Sequence, residues 1–451
     1  MKIPDKPPDF LKIVEKLIAE NKDMFFKILS STNPSDSKGR YLHWDKLKYL
    51  ELPNDYHDHQ IWWTTLKFAR KNQYKVLPIS GINKIPFKYV ITDNFQRILH
   101  FLDQYASGNI GINEPILNTH LKNTYLISSL YEESITSSQL EGASTTREVA
   151  KKMLREGRRP KDKSEKMIYN NFNAMQFIRS IKKESLTLEI IKELHKILTE
   201  GTLDDSSKSG AFRNGTDDIH IIVDNDKIVF TPPDYKEIEK RINQLCHIAN
   251  EPDFSDHFVH PVIKSVILHF YLSYIHPFID GNGRTARALF YWSMLKNGYW
   301  LTEFISISRI LKNAPSKYGL SYLYTETDDN DLSYFIDYQL KVIKRSIEEL
   351  HLYIKKKIYN IESISKLIRS TKLSNKLNPR QLSILKHAIK RPGYIYTINE
   401  HKNTHAIAYD TSRKDLLDLS DKYELLIKVK EGKGFIFLSP SNIEERIKKL
   451  N

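Results

Sequence analysis

The chain has 451 residues, and 69 Lys and Arg against 55 Asp and Glu give it a formal net charge of +14. One hydrophobic core does not usually extend over this length, so we expect two or three domains. Hydrophobic residues make up 40% of the chain and charged residues 27%, which excludes a disordered protein.

Targeting and redox features of the sequence favour the cytoplasm. The N-terminus lacks an apolar segment before a small-residue cleavage site, and no later run reaches about 18 apolar residues. The single cysteine, Cys246, can form no internal disulfide, which fits a reducing compartment. We therefore expect a cytoplasmic protein with no membrane partner.

Residues 1–95 mix short helical patterns with proline-containing breaks and carry many aromatic residues. This pattern predicts a small N-terminal helical domain, whose role the sequence does not indicate. His43, His57 and His59 lie in it without the cysteine or ordered carboxylate spacing of a metal site, so we assign them no ligand.

Residues 96–349 form the largest predicted domain and show apolar residues at helical spacing. Residues 219–230 are the exception, because two β-rich runs flank the turn-forming residues 224–227 and predict a β-hairpin. Helices are predicted over residues 123–140, 164–181, 187–198, 235–248, 261–275 and 285–296.

The segment from Ile275 to Arg287 reads IHPFIDGNGRTAR and lies between two predicted helices. Gly281 and Gly283 can turn successive backbone N–H groups inward to form an anion nest, which the positive end of the following helix reinforces. Arg284 and Arg287 stand three residues apart and can reach different oxygens of a polyphosphate.

Two further side chains of this segment suit phosphate chemistry. Asp280 offers a hard oxygen ligand for a magnesium ion shared with phosphates. His276 is the only group there that can accept a proton near neutral pH. We interpret His260 and His269, just upstream, as a cap neighbour and a core histidine rather than as metal ligands.

At every defined position this segment matches the signature His-x-Phe-x-[Asp/Glu]-Gly-Asn-Gly-Arg-x-x-Arg, so the chain resembles the Fic family from about residue 137 to about residue 345. The resemblance implies ATP as substrate and Mg²⁺ as cofactor. By this resemblance, His276 deprotonates a target hydroxyl, which attacks the α-phosphate and expels pyrophosphate. Spacing alone does not reveal the transferred group; Gly281 is typical of the AMP-transferring form.

The same resemblance gives roles to the other residues of the loop. Asp280 would hold Mg²⁺ against the phosphates, and Arg284 would bind the outer phosphates. Asn282, together with the amides of Gly281 and Gly283, would cradle them.

The predicted hairpin resembles the flap that lies across the nucleotide in Fic proteins and offers its edge to the target. Such an edge binds an extended segment through main-chain hydrogen bonds. Ile228, Val229 and Phe230 are the predicted backbone contacts to the nucleotide. A purely structural hairpin is the alternative.

The segment Ser137-Ser-Gln-Leu-Glu141-Gly142 resembles the inhibitory pattern [Ser/Thr]-x-x-x-Glu-[Gly/Asn] of the family. Ser137 and Glu141 stand one helical turn apart, and Gly142 suits a helix end. By analogy, Glu141 pairs with Arg287 and excludes the γ-phosphate from its productive place. An ordinary exposed glutamate is the alternative.

The C-terminal part is the most basic, with 16 Lys and Arg against 9 Asp and Glu over residues 371–451, a net +7. A helical linker is predicted over residues 350–377. Residues 378–451 show three helices and a hairpin, the order of a winged helix-turn-helix domain. Its plausible phosphate contacts are Arg413, Lys414, Lys428, Lys430 and Lys433, whereas Asp415, Asp418 and Asp421 would repel phosphates.

The sequence therefore predicts a mainly α protein with a Fic-type helical core, a β-hairpin flap and a C-terminal winged helix-turn-helix domain. The resemblance implies a protein adenylyltransferase that modifies a Ser, Thr or Tyr hydroxyl of a target protein and is restrained by Glu141. Two alternatives stay open: a DNA-binding regulator whose core senses nucleotide, and an enzyme that removes AMP. The winged helix could bind DNA or mediate protein contacts such as a homodimer.

Overall fold

The computed structural model describes residues 2–107, 119–217, 219–223, 227–252, 254–369, 373–405, 407–432 and 434–449. The chain divides into two compact units, Met1–Leu350 and His351–Asn451. The predicted boundary at residue 95 does not coincide with a boundary between units. The architecture is mainly helical, as the sequence predicts.

The N-terminal part of the first unit contains five helices and a β-hairpin that the sequence did not predict. Buried polar contacts join this part to the rest of the unit: Nη1 of Arg70 donates to the Tyr334 hydroxyl over 2.8 Å, and the Tyr41 hydroxyl donates to Asp331 over 2.6 Å. The elements are α1 (Phe10–Glu20), α2 (Lys22–Leu29), α3 (Trp44–Leu47), α4 (His59–Lys71), β1 (Lys75–Ser80), β2 (Pro86–Tyr89) and α5 (Asp93–Leu102), followed by a π-helical turn (Asp103–Ser107).

The remaining helices of the first unit surround two central ones, α11 and α12, which are buried on nearly all sides. A second hairpin, β3–β4, interrupts the helices where the sequence predicts it. The helices are α6 (Thr119–Leu140), α7 (Arg147–Glu156), α8 (Lys163–Ser180), α9 (Leu188–Thr199), α10 (Ile238–Asn250), α11 (Pro261–Ile275), α12 (Asn282–Lys296), α13 (Ile307–Asn313) and α14 (Pro315–Thr327). The strands are β3 (Ile221–Val223) and β4 (Lys227–Phe230), and short 3₁₀ helices cover Ser206–Lys208, Tyr235–Glu237 and Trp300–Phe304.

Local sequence explains how the central helices begin. His260 caps α11 by accepting the N–H of Val262, and Pro261 occupies the first helical position, where no N–H is needed. Gly281 precedes α12 in a left-handed conformation. Buried Cys246 lies on α10, and burial raises its thiol pKa to about 12, which suits an apolar core residue.

Helix α15 (Ser333–Arg369) crosses from the first unit into the second, so the predicted linker is largely one continuous helix. The second unit has its own core, in which Leu385, Leu416 and Phe437 are buried. Its sheet has the antiparallel order β5-β7-β6. The remaining elements are α16 (Leu373–Lys376), α17 (Pro379–Lys390), β5 (Ile395–Tyr396), α18 (Ile398–His405), α19 (Tyr409–Leu417), a π-helical turn (Asp418–Lys422), β6 (Ile427–Glu431), β7 (Gly434–Leu438) and α20 (Ile443–Lys449).

One expectation about this unit is wrong. Asp415 does not face solvent, where it would repel phosphates; it is buried and accepts hydrogen bonds from Asn378 and Arg380, each over 2.7 Å. Its charge is thus neutralised inside the unit. Lys433 lies outside the described residues.

Candidate active site

The motif loop, residues 276–281, connects α11 to α12. Helix α11 ends at His276, which has φ 49° and ψ 58° and is thus left-handed without being glycine. Gly281 is also left-handed, with φ 78°. A β-carbon at Gly281 would lie only 2.9 Å from the methyl carbon of Thr199, so both conformation and space require glycine there.

Asn282 holds the two ends of the loop together. Its Nδ2 donates to the carbonyl of Phe278 over 2.7 Å, and its Oδ1 accepts the N–H of the same residue over 3.0 Å. The side chain is buried, and these two bonds use one of its two N–H donors and one lone pair of its oxygen. The amide of Asn282 therefore shapes the loop, and its predicted role in cradling phosphates stays a prediction.

His195 on α9 packs against the motif loop, and it was not among the site residues predicted from the sequence. Its ring stacks on Phe278 with centroids 3.6 Å apart and planes 1° apart. Nδ1 accepts the N–H of Gly210 over 3.0 Å, so Nε2 carries the proton and donates to the carbonyl of Asp280 over 2.9 Å. Burial lowers the pKa of His195 to about 4, which keeps the ring neutral.

Arg213 fixes the other end of the loop and was also missed. Its Nε donates to the carbonyl of His276 over 2.8 Å, and its backbone N–H donates to the carbonyl of Pro277 over 2.9 Å. Its Nη2 lies within hydrogen-bonding distance of the carbonyls of Pro233 and Ile275. These bonds hold His276 in its left-handed conformation.

The His276 ring has a defined tautomer. Its Nδ1 lies 3.3 Å from the carbonyl of Ser273, which can only accept, so Nδ1 carries the proton and Nε2 has the free lone pair. Burial lowers the pKa of His276, against the opposing effects of the Ser273 carbonyl and of Glu141. The ring is therefore a neutral base near pH 7.

Arg284, in the first turn of α12, stands beside Asp280 of the motif loop. The Arg284 side chain is fully buried, and its Nη1 donates to the carbonyl of Leu198 over 3.0 Å. Within the described part of the chain, its Nε and Nη2 have no hydrogen-bond partner, although Nη2 lies 3.6 Å from Asp280 Oδ2. A buried guanidinium with two unused donors is suited to an anion.

The structure brings Ser137, Glu141 and Arg287 together. Nη2 of Arg287 donates to Oε1 of Glu141 over 2.8 Å, and its Nε donates to the hydroxyl of Ser137 over 2.9 Å. The carboxylate of Glu141 lies against the first turn of α12, because a β-carbon placed on Gly283 would collide with its Oε1. An anionic group of the chain itself thus occupies the positive end of this helix.

The predicted flap is the antiparallel hairpin β3–β4, with Ile221 opposite Phe230 and Val223 opposite Lys227. The ring of Phe230 lies 5.0 Å from that of Tyr274 on α11, which attaches the hairpin to the helix that carries His276. The side chain of Ile228 is 49% exposed, and Val229 is half-buried. The predicted turn residues 224–226 lie outside the described residues.

Asp280 could take part in binding a metal only together with phosphates and water. Its side chain is 53% exposed, and Oδ1 accepts the N–H of Gly281 over 2.5 Å. Within the described ranges, no three His, Cys, Asp or Glu residues group as metal ligands. One exposed carboxylate with remaining lone pairs fits Mg²⁺, which usually keeps several waters and few protein ligands.

Comparisons with known proteins place this site in context. Residues 185–294 match the model of the Fic/DOC family. The chain is 28% identical over 131 residues to "Protein adenylyltransferase Fic" of Nematostella vectensis, covering 28% of this chain and 27% of the relative. It is 30% identical over 128 residues to the protein of the same name from Drosophila virilis, covering 28% and 24%. The chain thus spans about a quarter of the length of these relatives.

A solved structure extends the likeness beyond the matched domain. The fold resembles a Fic family protein from Desulfovibrio desulfuricans G20 with a TM-score of 0.50 and 16% identity, covering 78% of this chain and 98% of the other. This likeness concerns the fold. No helix in the described ranges has the length and apolar character to cross a membrane.

Proposed function

We propose that this chain, whose residues 185–294 form a Fic/DOC domain, transfers AMP from ATP to a hydroxyl of a target protein. The observation that carries the proposal is the tautomer of His276, whose Nε2 is free to accept a proton. Buried Arg284, next to the motif loop, has two nitrogen atoms without a hydrogen-bond partner among the described residues. The names of the curated relatives support AMP as the transferred group.

In this mechanism, Nε2 of His276 takes the proton of the target hydroxyl as its oxygen bonds to the α-phosphorus of ATP. The bond from that phosphorus to the bridging oxygen breaks, and pyrophosphate leaves. Arg284 would bind phosphate oxygens through its two unused donors, and the N–H groups of Gly283 and its neighbours would face the developing charge. Asp280 would hold Mg²⁺, which neutralises phosphate charge when bound.

Glu141 restrains this activity in our proposal. Its carboxylate lies where the first turn of α12 would receive a phosphate, and it holds Arg287 by an ion pair. Two anions cannot share that place, so a productive nucleotide requires Glu141 to leave. The alternative is that the same carboxylate positions water for the removal of AMP from modified targets.

Radioactive ATP labelled at either the α- or the γ-phosphorus tests the proposal. The full-length Glu141→Gly variant should incorporate the α label into itself or into lysate proteins, and His276→Ala in the same background should abolish it. Glu148→Gly, which changes an exposed glutamate on α7, is the control and should label no better than the unaltered chain. Incorporation of the γ label only, or labelling that persists without His276, would overturn the proposal.

AMP removal is tested with the same proteins. Chain that has been labelled by the Glu141→Gly variant is purified and mixed with the unaltered chain. Release of the label that requires Glu141 would support the reverse reaction as the main activity.

A second candidate function, DNA binding by the second unit, is favoured by two observations. Its helices precede the β6–β7 hairpin, the order on which a winged helix was predicted. Arg413 and Lys414 lie exposed on α19, while Asp415 beside them is buried. A gel shift that weakens steeply with salt and is lost in Arg413→Glu/Lys414→Glu would support it. Lys448→Glu/Lys449→Glu is the control; equal loss in both variants, or a dimer without DNA affinity, would overturn it.

A further inference from the structure

A basic groove, separate from the motif loop, has no role in the chemistry above. It encloses about 640 Å³ between the loop that joins α7 to α8 and the segment that follows α9. Its lining consists of residues 157–163, Lys166, Tyr169 and residues 201–204, which we call the basic groove. This lining contains five basic and two acidic side chains, a net charge of +3.

The first wall of the groove is rigid. Gly157 ends α7 in a left-handed conformation, and the buried carboxylate of Glu165 organises the turn that follows. It accepts two bonds from the guanidinium of Arg158, over 2.9 and 2.7 Å, and the N–H of Lys161 over 2.7 Å. Such preorganisation lowers the entropy that a bound partner must overcome.

Most positive charges of the groove are available to a partner. Within the described part of the chain, the exposed side chains of Arg159 and Lys161 have no carboxylate partner. Lys163 lies 3.4 Å from Asp204 and Lys166 4.0 Å from Glu200, but both carboxylates are largely solvated, and such pairs contribute little. Like charges gathered this way repel each other, so an anionic occupant would be stabilising.

The second wall continues into the active site. Thr202 donates its N–H and its hydroxyl to the carbonyl of Thr199, each over 3.0 Å. The methyl group of Thr199 packs against Gly281. The carbonyl of Leu198 accepts a hydrogen bond from Nη1 of Arg284. The second wall of the groove is therefore connected through Thr199 and Leu198 to the motif loop and the first turn of α12.

We propose that the basic groove binds an acidic segment of the protein substrate, a role that rests on the proposed function. The charge calls for carboxylates, while Pro160, Tyr169 and Leu203 offer apolar surface for one neighbouring side chain. Single-stranded nucleic acids usually bind to successive aromatic platforms, and Tyr169 is the one aromatic residue of this lining. A cavity of about 640 Å³ lies within the usual size range of ligand sites, which is enough for a few side chains of a peptide.

Binding is tested on the full chain without ATP. The probe is a short fluorescein-labelled peptide of Glu and Asp with one Leu, compared with its Gln and Asn counterpart by fluorescence anisotropy. We expect the acidic peptide to bind more tightly, and Arg159→Glu/Lys161→Glu to weaken its binding by about tenfold or more. Lys12→Glu/Lys46→Glu makes the same change of charge at exposed, distant positions and should leave binding nearly unchanged.

Transfer is tested separately in the Glu141→Gly background. A peptide with a Ser-Thr-Tyr tail joined to the acidic block should show a KM lower by about tenfold than the Gln and Asn version, with similar kcat. Arg159→Glu/Lys161→Glu should remove this difference and leave auto-modification unchanged. Equal KM values for both peptides, or a single-stranded RNA of equal charge that binds the groove more tightly, would overturn the inference. Absence of any AMP transfer would instead contradict the proposed function, while the anisotropy result still decides whether the groove binds acidic peptide.

Discussion

Glu141 and Arg287 are 146 residues apart in the chain, yet their carboxylate and guanidinium meet at 2.8 Å over the start of helix α12. The side chain of Arg287 is fully buried, whereas that of Glu141 is 27% exposed. The arginine is thus fixed, and the glutamate is the partner that can leave. In the proposed restraint, the partly exposed side chain of Glu141 is therefore the group that moves.

Ser137 should set the strength of this restraint. Ser137→Ala removes the hydroxyl that accepts from Nε of Arg287 but keeps the backbone carbonyl that accepts from Nη2 over 3.0 Å. Loss of about 1 kcal/mol should raise AMP transfer by about fivefold, less than Glu141→Gly does. Initial rates of α-label incorporation measure the effect, with exposed Ser128→Ala as control. A Ser137→Ala rate equal to that of Glu141→Gly would contradict the ordering.

The pH dependence of transfer should reflect the environment of His276. Burial lowers its pKa below the ordinary 6.5, so the basic form persists as the pH falls and the acid limb of kcat/KM should lie below that value. The negative charge of Glu141 favours the charged imidazole and so raises the pKa of His276. Removal of Glu141 should therefore move the acid limb to a still lower pH. The Glu141→Gly variant can be assayed from about pH 5 to about pH 8. An acid limb above pH 7 would assign the base to another group.

Arg213 should affect the chemical step more than nucleotide binding, because it holds the carbonyls of His276 and Pro277. Arg213→Lys keeps the charge but loses the fork of donors, and we expect kcat to fall by about a hundredfold with a smaller change in the KM for ATP. Lys208→Ala, which breaks the nearby pair with Asp217, is the control. A raised KM with unchanged kcat would show that Arg213 acts on the nucleotide.

Buried neutral histidines should make the protein sensitive to acid. Burial lowers the pKa of His195 and His43 to about 4 and that of His269 to about 3. Because the unfolded chain binds these protons near the ordinary value of 6.5, stability should fall as the pH drops below it, until the folded-state pKa is reached. Each histidine contributes about 1.4 kcal/mol per pH unit in that window.

Urea unfolding at several pH values measures this dependence. His195→Gln should reduce the loss of unfolding free energy at low pH by the contribution of one histidine. The exposed variant His57→Gln should leave this loss unchanged. Identical pH profiles for His195→Gln and the unaltered chain would show that His195 does not titrate on unfolding.

Residues that act through local backbone or helical spacing could be predicted from the sequence. The helix predicted over 261–275 has those bounds, and Gly281 has the left-handed conformation that its position in the motif requires. The meeting of Glu141 with Arg287 follows the analogy on which it was predicted. In each case a short pattern contains the physical cause.

His195 and Arg213 could not be found in this way, because they contact backbone carbonyls of residues more than sixty positions away. Every residue has a backbone carbonyl, so the sequence does not show which carbonyl a distant side chain contacts. A weak signal existed for His195, since it stands next to Leu194 on the apolar face of α9, where a polar ring needs a buried partner. The hairpin β1–β2 was missed because proline-containing breaks hid its alternation.

The left-handed backbone of His276 has a consequence for attempts to make this protein more heat-resistant. A residue with a β-carbon adopts that conformation at a cost of about 1 kcal/mol, which glycine avoids. A screen that selects only for melting temperature would therefore favour His276→Gly at this position, and such a variant lacks the proposed base. Under the proposed mechanism, selection for thermostability acts against turnover at this position, so His276 should be kept unchanged when the protein is stabilised.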